Sequence, residues 1–513
     1  VEDRQSQETM NVTFVALGST SLGIEHLAAY LKRAGHSVAL VFDPGLFDNK
    51  RYGRSPRLAK IVGRPQRIAE TILAGNPGLV AFSVLSDTYR WALDIAGRVK
   101  GLDSAVPIVF GGFHPSLVPE RVIARPEVDF LVQGEGEEAL LELVGRIERG
   151  DEPRPMANLW LKQDDELVFE PPRALIQDLD SLPYPDKRIY GNAVRVQDYY
   201  GTVTGRGCPF SCNFCSHNAL RRLYPGDRYL RRRSPEHVLG ELKATKARHG
   251  LRYVKFEDDI FTMNKSWLAR FLPAYREEIG APFGCIIHPE FLDDDIALML
   301  QESGCSEVEV GVQTLEESVR RDVLGRNEPN EAIYRTLDIL DRHGLRFIVD
   351  HMMDLPGETD EGLREAIRRY SELDTLVRVT CFHLTYFPRT DIVQKGLEAG
   401  LIDQDDVERM EEGETDHYFY PGRNRERGRD SRLARRAETL FKLLPLLPPR
   451  ARRIAAGPLF PTLDRLPTVV TTPLMVAAGI ARRDPSTAAY LRFYLDHLAF
   501  FVRDEIAELK SEG

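Results

Sequence analysis

Apolar and polar positions alternate along the chain in two periods, and the switch between them recurs. The short apolar runs NVTFVAL, SVALVF, GLVAFSVL, PIVFGG and VDFLVQG are separated by stretches such as GIEHLAAYLKRAGH and DTYRWALDIAGRVKGL, whose apolar residues recur at helical spacing. The runs predict buried strands and the intervening stretches amphipathic helices. Their alternation predicts a parallel, doubly wound (Rossmann-like) sheet, a fold that holds ligands beyond the carboxyl ends of its strands. Those ends carry small residues: Gly18-Ser19-Thr20, Ser83, Gly111-Gly112 and Gly134. Glycine there lets backbone amides close on a ligand, although for any single one a plain strand-to-helix turn explains as much.

The alternation lapses over residues 151–190, where GDEPRP and EPPRALIQDLDSLPYPDKRIY are rich in proline and charge, as linkers are. It resumes with longer units. Strands are predicted at GTVTGRG, YVKFEDD, FGCIIHPE, EVEVGVQT, RFIVDHMM and VRVTCFHLTYF, with helices starting near Ser234-Pro235, Ser266, Asp293, Asn330 and Asp360. Six such units predict a partial barrel with its chemistry at the C-terminal strand face. From about Leu401 the pattern turns helical and arginine-rich, and DPSTAAYLRFYLDHLAFFVRDEIAEL reads as one or two amphipathic helices packed on the barrel. A lipid-facing or hydrophobic-substrate surface is the alternative for these helices. The predicted organisation is an α/β chain: a Rossmann-like domain over 1–150, a linker over 151–190, a (β/α)6 barrel over 191–400 and a helical domain over 401–513.

The chain has 513 residues, room for two to four domains at roughly 100–200 residues each. With 42% hydrophobic and 28% charged residues it has the composition of a soluble globular protein. A net charge of −10 argues against a general nucleic-acid binder. The basic stretch RRLYPGDRYLRRRS (221–234), with its interleaved aromatics, reads better as pocket wall or helix positioning than as an RNA surface. The start, VEDRQSQETM, lacks the features of a signal peptide, and a natural start is expected near Met10. The apolar tract LPTVVTTPLMVAAGIA (466–481) contains two prolines and falls short of the roughly 18–20 residues that cross a membrane. Six cysteines, three of them clustered, do not form a secreted disulfide framework, so the expected compartment is the reducing cytoplasm.

The cluster is GRGCPFSCNFCSH (205–217), in which Cys208, Cys212 and Cys215 follow the first barrel strand. Thiolates point to zinc or iron–sulfur. A structural zinc wants a fourth ligand, and His217 is the local candidate. A [4Fe–4S] cluster held by three cysteines instead leaves one iron open to a chelating ligand. In KFEDDIF, three carboxylates, Glu257, Asp258 and Asp259, end the second strand, a costly arrangement without cationic partners. His288, His351 and His383 fall near strand ends, where structural histidines are the default reading.

Two resemblances sharpen this. The stretch VPIVFGGFHPSLVPERVIARPEVDFLVQGEGEEALLELV resembles the cobalamin-binding domain fused to many radical enzymes, over roughly residues 10–150. The resemblance implies cobalamin contacts from Gly18, Ser19, Thr20, Ser83, Leu85, Gly111, Gly112, Phe113, His114, Gly134 and Glu135. The D-x-H-x-x-G motif, which supplies a histidine to cobalt in another cobalamin family, is absent, so the lower axial position is expected to be empty, water-filled or taken by a residue from elsewhere. The C-x3-C-x2-C motif after the first strand of a six-unit barrel is similar to the signature of the radical S-adenosylmethionine (SAM) superfamily, with Phe214 before the last cysteine in keeping.

That resemblance implies a [4Fe–4S] cluster on Cys208, Cys212 and Cys215, with SAM on the open iron. It further implies SAM contacts from Phe214, Glu257, Asp258, Gln313 and Arg326, and from Gly357 in the DLPGET turn. Arg389 stands where many relatives carry glycine. The implied function is a cobalamin-dependent methyltransferase acting on an unactivated carbon, through a 5′-deoxyadenosyl radical and methylcobalamin. The implied partners are a small-molecule substrate and a reductant such as flavodoxin or ferredoxin, with no nucleic acid and at most peripheral membrane contact. The alternatives are a radical cyclase or ring-rearranging enzyme on the same cofactors, a radical SAM enzyme whose cobalamin-like domain has lost its ligand, and an electron-transfer protein with a structural cluster.

Overall fold

The computed structural model of the protein describes residues 9–49, 53–54, 56–151, 154–164, 166–414, 431–457 and 485–511. The expectations for a leader and for the tract 466–481 lie outside the described residues. In the first sheet, β1 (Asn11–Leu17), β2 (Ser37–Asp43), β3 (Leu79–Ser83), β4 (Ile108–Gly111) and β5 (Phe130–Val132) run parallel in the order β2-β1-β3-β4-β5. Helices α1 (Leu22–Arg33) and α4 (Glu137–Glu148) bury Ile24, Ala28, Leu31, Leu140 and Leu143 on one face. Helices α2 (Pro65–Ala74) and α3 (Tyr89–Leu102) bury Ala69, Ile72, Ala92 and Ile95 on the other. Chain order reverses at β1, so the crevice opens above the ends of β1 and β3.

The sheet also runs on into the segment read as linker. Antiparallel strands β6 (Leu159–Gln163) and β7 (Glu166–Phe169) pair outside β5. Only Leu159, Trp160 and Leu161 of this hairpin are buried, and its edge is charged. A charged, half-exposed edge strand looks like linker in sequence because it has little apolar pattern to show.

The second sheet holds six parallel strands in chain order: β8 (Tyr200–Thr202), β11 (Val254–Phe256), β12 (Phe283–Ile287), β13 (Cys305–Gln313), β14 (Phe347–Met353) and β15 (Leu376–His383). The predicted first strand GTVTGRG is split. Residues 200–202 join the barrel, while β9 (Gly205–Arg206) pairs antiparallel with β10 (Arg231–Arg232). The break falls at Thr204, whose backbone N–H is taken by Asp258. Along β13, Val308, Val310 and Val312 bury against the surrounding helices, which leaves Glu307, Glu309, Gly311 and Gln313 to the inner face. Ser234, Asn264, Asp293 and Thr359 each cap a helix by accepting a backbone N–H, close to the predicted starts.

The last part of the chain divides its contacts. Helix α6 (Ser431–Leu443), from the stretch read only as helical and arginine-rich, seats Ala437, Leu440 and Phe441 in the barrel core. Helix α7 (Pro485–Ser511), expected against the barrel, lays its aromatic face on the first sheet and reaches the start of the barrel region through Arg492–Asp198 at 3.1 Å and Asp496–Arg195 at 2.9 Å. Phe493 and His497 meet Phe42 of β2 at 6.1 and 6.0 Å, and Tyr494 meets Phe47 at 5.7 Å. β2 is an edge strand, and an aromatic helix stripe spaced i, i+1, i+4 is a fitting cover for it. Among the described residues no helix is long and apolar enough to cross a membrane.

Candidate active site between two sets of strand ends

The three cysteines occupy the loop between β9 and α5 (Ser216–Arg221), all unpaired and half-buried. The loop is pinned from several sides. Asn213 donates its backbone N–H to Leu324 O and its side-chain amide to Val323 O, both at 2.9 Å, and its carbonyl accepts from Ile392 N. Phe210 stacks on His288 at 4.1 Å. Burial pushes the Cys208 thiol up to about 11 and Cys212 to about 12, and raises Cys215. Each thiol also lies in the field of another, and the Arg326 guanidinium acts in the opposite sense on all three. Such thiols ionise when a metal takes the proton's place. His217, the zinc alternative's fourth ligand, is engaged elsewhere, with Nε2 3.3 Å from Asp259 Oδ1 and Nδ1 3.4 Å from the Tyr229 hydroxyl.

The three carboxylates after β11 have separate tasks. Asp258 is buried and accepts from Thr204 N at 3.0 Å and Thr204 Oγ1 at 2.7 Å, which joins the first two barrel strands; burial raises its pKa. Glu257 accepts from the Tyr199 hydroxyl at 3.0 Å, and burial raises it too. Asp259 is the one whose charge reaches Cys208 and Cys215.

On the other side of the loop, a bulge in β13 between Gly311 and Gln313 re-aims Gln313, which takes φ +66°. A Cβ on Gly311 would lie 3.1 Å from the Gln313 amide nitrogen and 3.6 Å from Arg326, so the glycine makes room for both. Arg326 is 5% exposed and pairs with Glu328 at 2.6 Å, while its Nε is buried without a hydrogen-bond partner. Phe214 packs with Val319, Leu324 and Met352, and Gly357 (φ +74°) turns the chain after β14. Arg389, where a glycine was expected, adopts φ +62°, the left-handed region that glycine enters freely. Its guanidinium meets Glu411 at 3.1 Å, and Glu411 also accepts from Arg121 of the first domain.

A cavity of about 390 Å3 opens between the two domains. Ser83, Gly111, Gly112, Phe113, Gly134 and Glu135 line it from the first sheet; Gly207, His217, Glu257, Asp258 and Asp259 line it from the barrel. Gly112 (φ +101°) has no space for a side chain: a Cβ would meet Val84 N at 2.7 Å. Gly18, Ser19, Thr20, Leu85 and His114 do not line the cavity. Leu85 is half exposed. His114 is fully buried, with Nδ1 3.0 Å from Ser86 Oγ and its ring on Tyr89; burial lowers its pKa to about 4. The short helix that starts at Phe113 turns that ring into the cavity and His114 away from it.

Glu135 and Glu137 also fasten the domains together. Arg206 donates to Glu135 at 3.0 Å and to Glu137 at 2.5 Å, and Arg231 donates to Glu135 at 2.9 Å. Burial opposes the charge on Glu137, but Arg206 outweighs it and holds the carboxyl below its ordinary value. The Tyr224 hydroxyl accepts from Glu135 N at 2.9 Å and lies where a Cβ on Gly134 would be. The basic stretch 221–234 is thus spent on internal contacts, with Arg233 paired to Glu241 at 2.5 Å.

The chain matches a family model described as B12 binding domain over residues 11–144 and one described as Radical SAM superfamily over residues 202–370. The chain belongs to the radical SAM enzymes that carry a B12-binding domain. It is 28% identical to an uncharacterized methyltransferase, PH0819, of Pyrococcus horikoshii, over 60% of this chain and 67% of that one. It is 23% identical to the anaerobic magnesium-protoporphyrin IX monomethyl ester cyclase of Rubrivivax gelatinosus, over 67% of this chain and 60% of that one. The structure of the cobalamin-dependent SAM radical enzyme OxsB superposes with a TM-score of 0.65 at 15% identity, covering 99% of this chain and 81% of OxsB.

The cofactors of this B12-binding radical SAM enzyme are a [4Fe–4S] cluster, SAM and cobalamin. Its residues fit them. Three thiols sit in one another's field, a buried guanidinium beside them has an unused N–H, and strand ends that line the cavity are glycines, two of which leave no room for a Cβ. Sequence reasoning missed His26 and Arg206 as cavity residues and singled out His217 only as a zinc ligand, whereas Tyr224, Tyr229 and Arg231 of the stretch read as pocket wall do line the cavity. His26 did carry a signal, being a polar residue on the apolar stripe of α1.

Proposed function

We propose that the protein is a cobalamin-dependent radical SAM methyltransferase acting on an unactivated carbon of a small organic substrate. The observation that carries this reading is the shared cavity, whose wall includes both the glycine strand ends of the B12-binding domain and Gly207 and His217, which flank the cysteine loop. When bound, the cluster and SAM supply a route to hydrogen abstraction, and cobalamin supplies a transferable methyl group. The chain's own residues position and shield. In this reading Cys208, Cys212 and Cys215 hold the cluster, the Arg326 Nε–H and the Gln313 amide serve SAM's polar groups, and the Arg206–Glu137 pair keeps the cysteine loop against the B12-binding domain; the unpartnered Nε of Arg326 and the room Gly311 leaves beside it support those roles.

An electron donor such as flavodoxin or ferredoxin is part of the proposal, as is a cytoplasmic location, where unpaired cysteines stay reduced. Oxidative cyclisation or ring rearrangement on the same cofactors is the second reading, favoured by the likeness to the Rubrivivax cyclase. With a candidate substrate, methyl-labelled SAM and a chemical reductant, label appearing in the product supports methyl transfer; an unlabelled, cyclised product establishes the second reading. In the same assay Cys212→Ala is expected to lose bound iron and 5′-deoxyadenosine formation together, and retained cleavage would sink the radical SAM assignment.

A further inference from the structure

His26 lies one turn into α1, on the face that also brings Leu22, Gly23 and Leu27 to the cavity wall. It is 9% exposed, and neither ring nitrogen has a hydrogen-bond partner within the protein. A buried imidazole left in that condition loses the hydrogen bonds it would make in water, and such groups call for an explanation. A void of about 10 Å3 against Leu179, Val203 and His237 lies on its other side, space for one water at most. One nitrogen therefore remains for the large cavity. Burial, with Arg206, Arg233 and Lys187 nearby, lowers the His26 pKa to about 3, so the ring is neutral and offers one donor and one acceptor.

The cavity wall that His26 shares combines Arg206, whose charge reaches the ring, with the apolar side chains of Phe14, Leu27, Ala81, Val109 and Leu140 from the first domain. Cobalamin has two dissimilar parts. Its broad macrocycle needs the wide glycine-lined mouth, whereas its tail ends in a flat apolar base joined through ribose and phosphate. An apolar slot between α1 and α4 suits the base, and a neutral imidazole beside it suits the hydroxyl and phosphate oxygens that follow. We propose that His26 hydrogen-bonds the nucleotide tail of bound cobalamin and so selects the complete cofactor over its tail-less precursor.

The inference rests on cobalamin being the cofactor of this cavity, and the test separates the two. The full-length protein is titrated with aquacobalamin and, separately, with cobinamide, which lacks the tail, and binding is read from the cobalt chromophore. His26→Ala should weaken aquacobalamin binding by about tenfold, the loss of one hydrogen bond. Cobinamide binding should stay within about twofold, and His26→Gln, which keeps a donor and an acceptor, should recover most of the difference. Equal loss for both ligands, or loss for neither, overturns the assignment. So does a nitrogen splitting in the electron paramagnetic resonance of the cobalt(II) form that His26→Ala abolishes, because it would place the imidazole on the metal. A wild-type chain that binds neither ligand overturns the cobalamin reading itself, and this assignment with it.

Discussion

Gly112 shows what single residues contribute at this site. Its φ of +101° is one that side chains rarely adopt, and a Cβ would press on both Val84 N and Val84 O at under 3 Å. Gly112→Ala should therefore lower stability by roughly 2–3 kcal/mol in thermal or denaturant unfolding. Because the displaced strand end lines the cavity, it should also weaken cobalamin binding, read in the same titration as above. Unchanged stability would mean that the β3–β4 strand ends are looser than their contacts imply. Gln313 and Asp354 also hold positive φ without being glycine, and both stand at barrel strand ends on the side of the candidate SAM residues. Strain of this kind gathers where a backbone is held for function.

At the scale of elements, His383 at the end of β15 ties the barrel to α6. Its Nδ1 is 2.6 Å from Asp354 and its Nε2 3.7 Å from Glu438. Burial opposes its charge, but the hydrogen bond to Asp354 and the nearby Glu438 carboxylate outweigh that and raise its pKa to about 9. A histidine pKa raised on folding gives stability that is complete below its ordinary value near 6.5 and lost as pH climbs through 9. Thermal stability should fall by up to roughly 3 kcal/mol over that window. The fall should be largely absent in His383→Gln, whose melting temperature changes less between pH 6.5 and 9. A wild-type and variant that decline in parallel would remove His383 from the account. His351, on the neighbouring strand β14 in register with Cys381, bonds Tyr370 at 3.0 Å and is lowered to about 3 by burial, so it stays neutral.

For the whole molecule, the contacts that matter are those between the two sheets. Arg206 stands two residues before Cys208 and ends its side chain on Glu135 and Glu137 of the first domain. Neutralising both carboxylates leaves the half-buried Arg206 guanidinium, and Arg231 beside it, without their counter-charges, a change that costs most where water cannot reach the pair. The double variant Glu135→Gln, Glu137→Gln should therefore loosen the domain seam. We expect faster proteolysis within 170–200 and less iron retained per chain after reconstitution, with far-ultraviolet circular dichroism close to wild type. If iron content and proteolysis stay at wild-type levels, the clamp does not support the cysteine loop. Other ties, Arg121–Glu411–Arg389 and Arg90–Glu414 among them, would then hold the domains.

Much of this was legible in the chain alone, for local reasons. Strand and helix periods follow from neighbouring residues, so both sheets, the helix caps and the cysteine loop after the first barrel strand could be read in order. The edge hairpin at 159–169 could not, since charged edge strands carry almost no period. The role of a motif residue also escaped where it depends on which way a side chain turns. Glycines 111, 112 and 134 line the cavity, whereas His114 faces a buried pocket by Ser86. Glu135 and Arg231, distant in sequence, meet only because two domains dock. His26 needs the same docking before its isolation has meaning, because the cavity wall beside it comes from both domains. Sequence alone determined the elements and the cysteine loop, because those rest on spacing along the backbone. Tertiary structure decided which side chains face the shared cavity, because that depends on how the sheets pack and where each strand ends.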